Sequence, residues 1–525
     1  PVPEGADVLT GTLVRTYTEA SAVAEDGHRA HAGELGQPQL AAWIEAADRV
    51  EQVPPAAVAH VPNGAVVRAV LGADLGPATG RAVLAAEVLA TPSGGDAPSG
   101  TAAAGVLNAV TVVLVRPGGA ASDGTSPSTV AGVVEGGAHG FWSEQTGGAV
   151  GFDVVQEVGW VTTSAGCDRP WEMWREAANA AGWSAGARRH LLVYVTRNAA
   201  GCSAGLGTVG ASPSSGGYAY VQGATTSLVA HELGHNLGLG HSDGYQCDRS
   251  ADGTAGCASA PYRDWYDVMG ISWDNLGSLS PLHAYRLQVL PATAWSDVTA
   301  PAQHFLAPTG ARSGLRALRL VDGDVTYWVE YRTAVGRDSW LAGSGNWPKL
   351  APGVLVRRTG GLDGQSWLLD GTPSAPDAWA DDWSQPLPAG STLDVASGRW
   401  QIRVDATSAS GAIVSVTGGG VRTTSSPLQL ASPADGATVA GRVTVSGIGT
   451  APEGTLQYEV TRADGTVAAR GFTTAGANGE NAMFTVDVPL PAGSYVVAVW
   501  TGDDSDDESG LGARPHEVRR AFTVS

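Results

Sequence analysis

The segment 231–241 reads HELGHNLGLGH, and few local folds can accommodate its three histidines. His231 and His235 are four residues apart, so on an α-helix both side chains lie on one face, one turn apart. Gly238 allows the helix to end in a left-handed conformation, because glycine has no Cβ to clash there. The chain can then turn and bring His241 back to the same point. The pattern therefore predicts a helix, a tight turn and a three-histidine cluster.

These residue types are typical of a zinc site. Imidazole nitrogens bind zinc at about 2.0–2.1 Å, and three protein ligands leave one position open for water, as in catalytic sites. Glu232 follows the first histidine, where it can act as a base on that water without ligating the metal. The alternative is a helix whose histidines bind no metal, and that alternative must explain the whole segment 231–241.

A second signature lies downstream of the histidines, in the sequence DVMG at 267–270. The chain has only three methionines, and Met269 is one of them. The combination resembles the metzincin zinc endopeptidases, in which a methionine-containing turn lies beneath the metal. Ordinary core packing is the alternative role for Met269, and the two roles are compatible.

The surrounding sequence is similar to one group of metzincins, the gametolysin-like (autolysin-type) family. The similarity rests on HS at 241–242, YRDWYDVMG at 262–270 and LSPLHAYRL at 279–287, and it is close over about 227–290. The resemblance implies a metzincin-like catalytic domain, a twisted mixed sheet with an active-site helix. It also implies one catalytic Zn²⁺ held by the three histidines, with Glu232 as general base and acid in peptide-bond hydrolysis.

The resemblance also indicates where a substrate binds. A protein or peptide, including cell-wall or extracellular-matrix protein, would add to the edge of the sheet as an extended strand. The strand expected at that edge is Gly217–Val221, which carries Tyr218 and Tyr220 on one face. Ordinary packing within the sheet is the alternative role for the two tyrosines.

Two departures from metzincin patterns affect the expected mechanism. Some metzincins have a tyrosine two residues after the methionine, but here that residue is Ile271, so its role is not transferred. No cysteine precedes Cys167, which excludes an N-terminal cysteine switch. An inhibitory N-terminal segment would need another side chain, such as His28, His31 or an acidic residue, and the sequence does not select one.

The length of 525 residues indicates several domains, and the fold class expected is multidomain α+β. An amphipathic patch at Gln39–Val50 predicts a helix within the first of them. The expected segments are a β-rich N-terminal domain that could be a propeptide (1–91), a linker of small residues, glycine and proline (92–104), the catalytic domain (105–291), a β-rich domain (292–420) and a C-terminal immunoglobulin-like β-sandwich (428–525).

The four cysteines favour an oxidising compartment. We expect the pairs Cys167–Cys202 and Cys247–Cys257, although spacing alone does not prove connectivity. A secreted protein whose signal peptide has been removed fits this pattern, and a single lysine against abundant arginine and alanine suggests a bacterial source with a GC-rich genome.

Charge and hydropathy narrow the range of partners. A net charge of −20 argues against a nucleic-acid partner, which needs clustered basic residues. No apolar run is long enough to predict a membrane span.

The acidic run Asp503–Glu508 offers oxygen ligands for a structural Ca²⁺, but it lacks the glycine and spacing of an EF-hand. A solvated loop is the alternative. The oligomeric state is not predicted.

Two other functions remain open from the sequence. One is a secreted binding protein or adhesin on a metzincin scaffold, with a structural zinc. The other is a zinc hydrolase that acts on cell-wall cross-links. The presence of Glu232 argues against the first, because a binding-only site needs no base.

Overall fold

A computed structural model describes most of the chain and separates it into two compact units, 1–420 and 421–525. The residues that it describes are 7–19, 39–59, 61–76, 79–91, 106–253, 256–270, 272, 275–323, 325–346, 349–360, 364–379, 382, 386–396, 398–418, 428–433, 437–439, 441–451, 455–462, 466–474, 476–477, 482–501 and 518–525. His28, His31, the 92–104 segment, Ile271 and the acidic run Asp503–Glu508 lie outside these residues.

The first part of the chain is built of antiparallel strands, which are β1 (Asp7–Thr18), β2 (Gln39–Glu45), β3 (Val50–Val53), β4 (Val66–Asp74) and β5 (Arg81–Ala90). The helix expected at Gln39–Val50 is wrong, because this sequence forms β2 and the start of β3. Ala42 and Ile44 are buried with period two against β1, so strand pairing overrides the local helical propensity.

A mixed sheet with helices on both faces follows. Its elements are β6 (Val106–Pro117), α1 (Pro127–Gly132), a π-helical stretch (Val133–Ala138), α2 (His139–Thr146), β7 (Val150–Thr163), α3 (Pro170–Ala181), β8 (Arg189–Val195), β9 (Gly205–Thr208), β10 (Gly217–Val221) and α4 (Thr226–Asn236). The order is β3-β2-β1-β9-β10-β8-β6-β7, with β4 and β5 attached to β1. The N-terminal strands therefore continue the sheet that carries α4.

The two faces of this sheet bury separate cores. On one face, α4 and the α1–α2 region cover Ala219 and Val221 of β10. On the other, α3 covers Tyr220 and Leu206. Alternation along the strands sends neighbouring residues to opposite faces, which is why α4 and α3 lie on opposite sides of the sheet.

A second set of sheets follows α4 in the same unit. Its elements are β11 (Ser242–Cys247), β12 (Cys257–Ala260), α5 (Pro281–Arg286), β13 (Trp295–Asp297), β14 (Ala302–Leu306), β15 (Ala317–Asp322), β16 (Val325–Arg332), β17 (Gly353–Gly360), β18 (Gln365–Leu369), β19 (Thr392–Val395), β20 (Trp400–Ser408) and β21 (Gly411–Gly418). One sheet has the order β12-β11-β18-β17-β16-β15-β13 and another β14-β21-β20-β19. Short 3₁₀ segments lie at Pro55–Val58, Ala292–Ala294, Thr309–Ala311, Gly336–Ala342 and Pro376–Ala378.

The unit 421–525 is all β in the part that the structure describes. Its strands are β22 (Leu428–Ser432), β23 (Ala437–Val439), β24 (Arg442–Ala451), β25 (Thr455–Arg462), β26 (Val467–Thr474), β27 (Gly476–Ala477), β28 (Ala482–Pro489), β29 (Gly493–Thr501) and β30 (Val518–Val524). Phe484, Val497 and Phe522 belong to a core of its own.

Two disulfides join Cys167 to Cys202 and Cys247 to Cys257, the pairs expected from the sequence. Within the described residues, no helix is long and apolar enough to cross a membrane.

Candidate metal centre

Helix α4 presents the first two histidines from a buried position. Thr225 begins the helix, and its hydroxyl accepts a hydrogen bond from the N–H of Leu228. Val229 and Leu233 fix the helix against the core. After Asn236 the chain reverses at Gly238, whose φ of +97° is the left-handed conformation expected there.

The three histidines converge on one oxygen atom. Nε2 lies 3.2 Å from Glu19 Oε1 for His231, 3.2 Å for His235 and 2.7 Å for His241. The ligand atoms of these four residues all lie within 4.8 Å of one another, and all four side chains are buried. The sequence predicted the three histidines, whereas Glu19 comes from the residue after β1.

Hydrogen bonds on the outer ring nitrogens show that the site fits a metal ion. Nδ1 of His231 donates to the carbonyl of Val268 (2.8 Å), and Nδ1 of His235 donates to that of Leu239 (2.8 Å). A neutral ring that donates from Nδ1 presents a lone pair at Nε2. Lone pairs aimed at a carboxylate oxygen repel it unless protons or a cation lie between them, so this donor set suits a divalent metal.

The distances from the carboxylate oxygen to the three nitrogens are close to those of a four-coordinate zinc site. Nitrogen and oxygen ligands about 2.0–2.2 Å from zinc, at tetrahedral angles, lie about 3.3–3.6 Å from each other. Two of the three nitrogen–oxygen distances are 3.2 Å, and the third is 2.7 Å. The residues present therefore fit zinc with only small adjustments.

The charges in the cluster also favour a cation. Burial alone would raise the pKa of Glu19, but His231 and His241 hold that pKa well below its usual range. Burial also lowers the pKa of His235, to about 4, and the neighbouring His231 and His241 charges contribute to this shift. Burial opposes ionisation of His231 as well, but Glu19 raises its pKa, so positive charge on the histidines balances the ionised carboxylate. A bound metal ion would supply that charge in their place and leave the imidazoles neutral.

Glu232 lies next to the cluster with both carboxylate oxygens buried and without a hydrogen-bond partner among the described residues. The carboxylate packs against two glycines of β9. A Cβ on Gly205 would lie 2.0 Å from Glu232 Oε1, and one on Gly207 would lie 2.9 Å from Oε2. Burial, and then the negative charge of Glu19, raise the pKa of Glu232 well above its usual value. A buried carboxylate with a raised pKa is a group that can accept and return a proton.

Met269 packs against Gly234 of α4. A Cβ on Gly234 would lie 2.6 Å from the Met269 sulfur, so glycine is required on the helix at this contact. The turn is held by Asp267, which accepts hydrogen bonds from the N–H of Met269 (2.9 Å) and from Nδ1 of His283 (3.0 Å). His283 thus holds the turn.

The residue after the third histidine is tied to the following β-rich part. Ser242 Oγ donates to Asp264 Oδ2 (2.7 Å), and Arg357 of β17 donates to the same oxygen from Nε (2.8 Å). The N–H of Ser366 also donates to the carbonyl of His241 (2.9 Å). The third ligand therefore rests on a buried ion pair contributed by a distant part of the chain.

The substrate edge expected at Gly217–Val221 is wrong. This segment is β10, which pairs with β8 on one side and β9 on the other, so it has no free edge. Tyr218 stacks on Trp174, and Tyr220 is buried with its hydroxyl 2.5 Å from that of Ser203. Both tyrosines face α3, on the side of the sheet opposite α4, and their role here is sheet packing.

Three residues around the histidines were missed from the sequence. Glu19 is one of 51 acidic residues, and no local pattern distinguishes it. The Tyr17 ring lies 4.3 Å from the His241 ring, and the Tyr262 ring lies 4.5 Å from it on another side. The pairing of β1 with β9 reveals Glu19 and Tyr17, and the segment after β12 brings Tyr262.

Comparison with protein-family models gives two matches. Residues 162–242 match a model described as a metallopeptidase of family M12B, reprolysin-like. Residues 428–508 match one described as an immunoglobulin-like domain of bacterial spore germination. The first match ends just after His241 and, with the buried cluster, supports a metallopeptidase in which the metal is expected to be zinc. The second agrees with an immunoglobulin-like domain at the C-terminus.

No curated protein matches the chain. Among solved structures, an engineered protein is 23% identical over 19% of this chain and 20% of its own, with a TM-score of 0.14. A chaperone–substrate complex is 14% identical over 47% of this chain and 36% of its own, with a TM-score of 0.19. This chain thus spans about a fifth and about a third of those two proteins.

Proposed function

We propose that the chain is a secreted zinc-dependent endopeptidase of the metzincin type, closest in its motifs to the gametolysin-like group. One observation carries the proposal. Three Nε2 atoms converge on a single point, and the unpartnered carboxylate of Glu232 lies beside them. A site that only stored a structural metal would have no use for that carboxylate.

Each residue of the centre has a distinct role. His231, His235 and His241 hold the metal, and the Nδ1 hydrogen bonds of His231 and His235 fix the orientation of those two rings. Zinc, when bound, polarises the substrate carbonyl and makes water more acidic. Glu232 accepts a proton from the attacking water as the carbon–oxygen bond forms. It then delivers that proton to the amine nitrogen as the carbon–nitrogen bond breaks.

The surface that fits an extended peptide is the edge of β9. Among the described residues, β10 and the N-terminal strand β1 are the strands that pair with β9, so the described catalytic part itself leaves one side of β9 unpaired. The backbone groups of Gly205–Thr208 can bind a substrate strand by main-chain hydrogen bonds. Gly205 and Gly207 place that strand directly beside Glu232.

A specific observation also favours a second candidate, a secreted binding protein with a structural metal. With Glu19 included, the cluster offers four protein ligands, and closed four-ligand sites are typical of structural zinc. The two functions differ in one respect. A peptidase must hydrolyse its substrate once Glu19 is displaced, and a binding protein must not.

The test combines metal analysis with hydrolysis. A recognition sequence for a site-specific protease is inserted within 92–104, and the chain is assayed before and after cleavage. We expect about one zinc per chain by mass spectrometry and hydrolysis of casein or gelatin after cleavage, abolished by a chelator and restored by zinc. If peptidoglycan is the only substrate cleaved, the protein is a cell-wall hydrolase and the endopeptidase proposal is wrong. Zinc without hydrolysis of any substrate would support the binding protein.

A further inference from the structure

Strand β1 occupies the β9 edge in the way that an extended peptide would. Thr16–Thr18 pairs antiparallel with Leu206–Thr208. The pairing continues past the strand, because the N–H of Glu19 donates to the carbonyl of Gly205 (2.8 Å). The backbone groups proposed to bind substrate are therefore already used by the chain's own N-terminal segment.

The same segment fills the position in front of the histidines. The Glu19 side chain is 7% exposed, and its Oε1 is the atom on which all three Nε2 atoms converge. A carboxylate oxygen binds zinc at about 2.0–2.2 Å, so it can serve as a fourth protein ligand. That ligand would take the place that water needs for hydrolysis.

Several contacts hold β1 in this register. The hydroxyl of Tyr262 donates to the carbonyl of Thr18 (2.9 Å), immediately before Glu19. Asn63 accepts from the N–H of Arg15 (2.9 Å) and donates to the carbonyl of Val209 (2.6 Å), so it links β1 to the chain just after β9. These bonds come from three different parts of the chain, as expected of a built interface.

We propose that the N-terminal segment is an inhibitory strand, in which β1 blocks the substrate edge and Glu19 is the fourth metal ligand that keeps the centre closed. This inference rests on the proposed function and adds the regulation of the same site. It supplies the blocking group that the sequence alone could not select.

The pairing pattern indicates that β1 belongs to the N-terminal strands and can leave with them. It pairs with β2 over Thr12–Thr18 and with β4 over Asp7–Thr12, but with β9 only over Thr16–Thr18. Release of the segment would uncover the β9 edge and remove the Glu19 ligand in a single step.

A small metal-binding probe separates the Glu19 ligand from the strand that covers β9. Acetohydroxamate needs only the open metal position, whereas a peptide needs the β9 edge as well. The full chain is loaded with Co²⁺ in place of zinc, and its visible d–d absorption bands are followed during titration with acetohydroxamate. Glu19→Ala is compared with the wild type and with Glu87→Ala, which removes an exposed carboxylate on β5 paired with Arg68. Glu19→Gln, which keeps the shape of the side chain, serves if the alanine variant does not fold.

We expect the Glu19 variants to bind acetohydroxamate at least about tenfold more tightly than the wild type. A ligand that occupies 90% of the site raises the apparent Kd of a competitor about tenfold. The Glu87 variant should match the wild type. Equal affinity in the wild type and the Glu19 variants, with cobalt bound in both, would overturn the inference and leave the proposed function intact. Failure of every chain to bind cobalt would overturn both.

Discussion

Arg357 offers a sharp test of how the β-rich part supports the metal centre. Its guanidinium is 1% exposed and contacts Asp264 Oδ2 from Nε (2.8 Å) and from a terminal nitrogen (2.7 Å). It also forms an ion pair with Glu330. The change Arg357→Met keeps the unbranched apolar stem of the side chain but removes the charge that both carboxylates face.

The structure sets the size of the effect. Breaking a buried ion pair from one side costs about 3–5 kcal/mol, because a buried charge is left uncompensated. In the variant, Glu330 still accepts a hydrogen bond from Arg332 Nε (2.8 Å), and Asp264 still accepts one from the Ser242 hydroxyl. The loss in free energy of unfolding should therefore lie near the lower limit, about 3 kcal/mol. Loosening Asp264 should also weaken zinc binding about tenfold, the smaller of the effects usual for groups that orient metal ligands.

The assay is denaturant unfolding followed by tryptophan fluorescence. Of the 17 tryptophans, only Trp500 lies after residue 420, so the signal reports the unit that contains the centre. The matched control is Arg68→Met, which breaks an exposed pair with Glu87 and should cost no more than about 0.5 kcal/mol. If Arg357→Met lowers the free energy of unfolding by less than about 1 kcal/mol, no more than the control does, the substitution does not leave a buried charge uncompensated and the reasoning is refuted.

Two further predictions concern Gly205 on β9 and His190 on β8. Gly205→Ala should lower kcat/KM about 100-fold in the cleaved chain, because its Cβ must push the Glu232 carboxylate about 1 Å from its position. The control is Gly223→Ala, whose Cβ makes only an ordinary contact at 3.9 Å and which should leave kcat/KM unchanged. Burial lowers the pKa of His190 to about 4, so the folded state favours the neutral ring, and stability should fall as the pH drops from about 6.5 toward 4. The free energy of unfolding is measured against pH over this range for the wild type and for His190→Gln, and the two slopes should differ by about 1.4 kcal/mol per pH unit. Parallel curves would contradict the lowered pKa of His190.

The helix and its histidines could be predicted from the sequence because their geometry is local. The four-residue spacing, the cap at Thr225 and the reversal at Gly238 each depend on residues within one or two turns. The methionine turn was expected from the resemblance to metzincins, and its contact with Gly234 of the helix is a finding of the structure.

The rest of the centre depends on pairing between distant segments. Nothing near Glu19 in the sequence indicates that β1 pairs with β9. The pairing of β1 with β2 was also unpredicted, and it makes Gln39–Glu45 a strand rather than a helix. The edge of the sheet was misplaced for a related reason. The segment Gly217–Val221 reads as a strand, but period-two patterning does not show which neighbours cover its two sides.

The most direct test of the central claim is a paired measurement on Glu232→Gln. Glutamine keeps the size of the side chain but cannot accept the proton, while the three histidines and the outer hydrogen bonds of His231 and His235 are unchanged. In the cleaved chain we predict about one zinc bound, as in the wild type, and a loss of hydrolysis of about 100-fold or more. Hydrolysis at the wild-type rate with zinc still bound would contradict the role of Glu232, and with it the proposed mechanism.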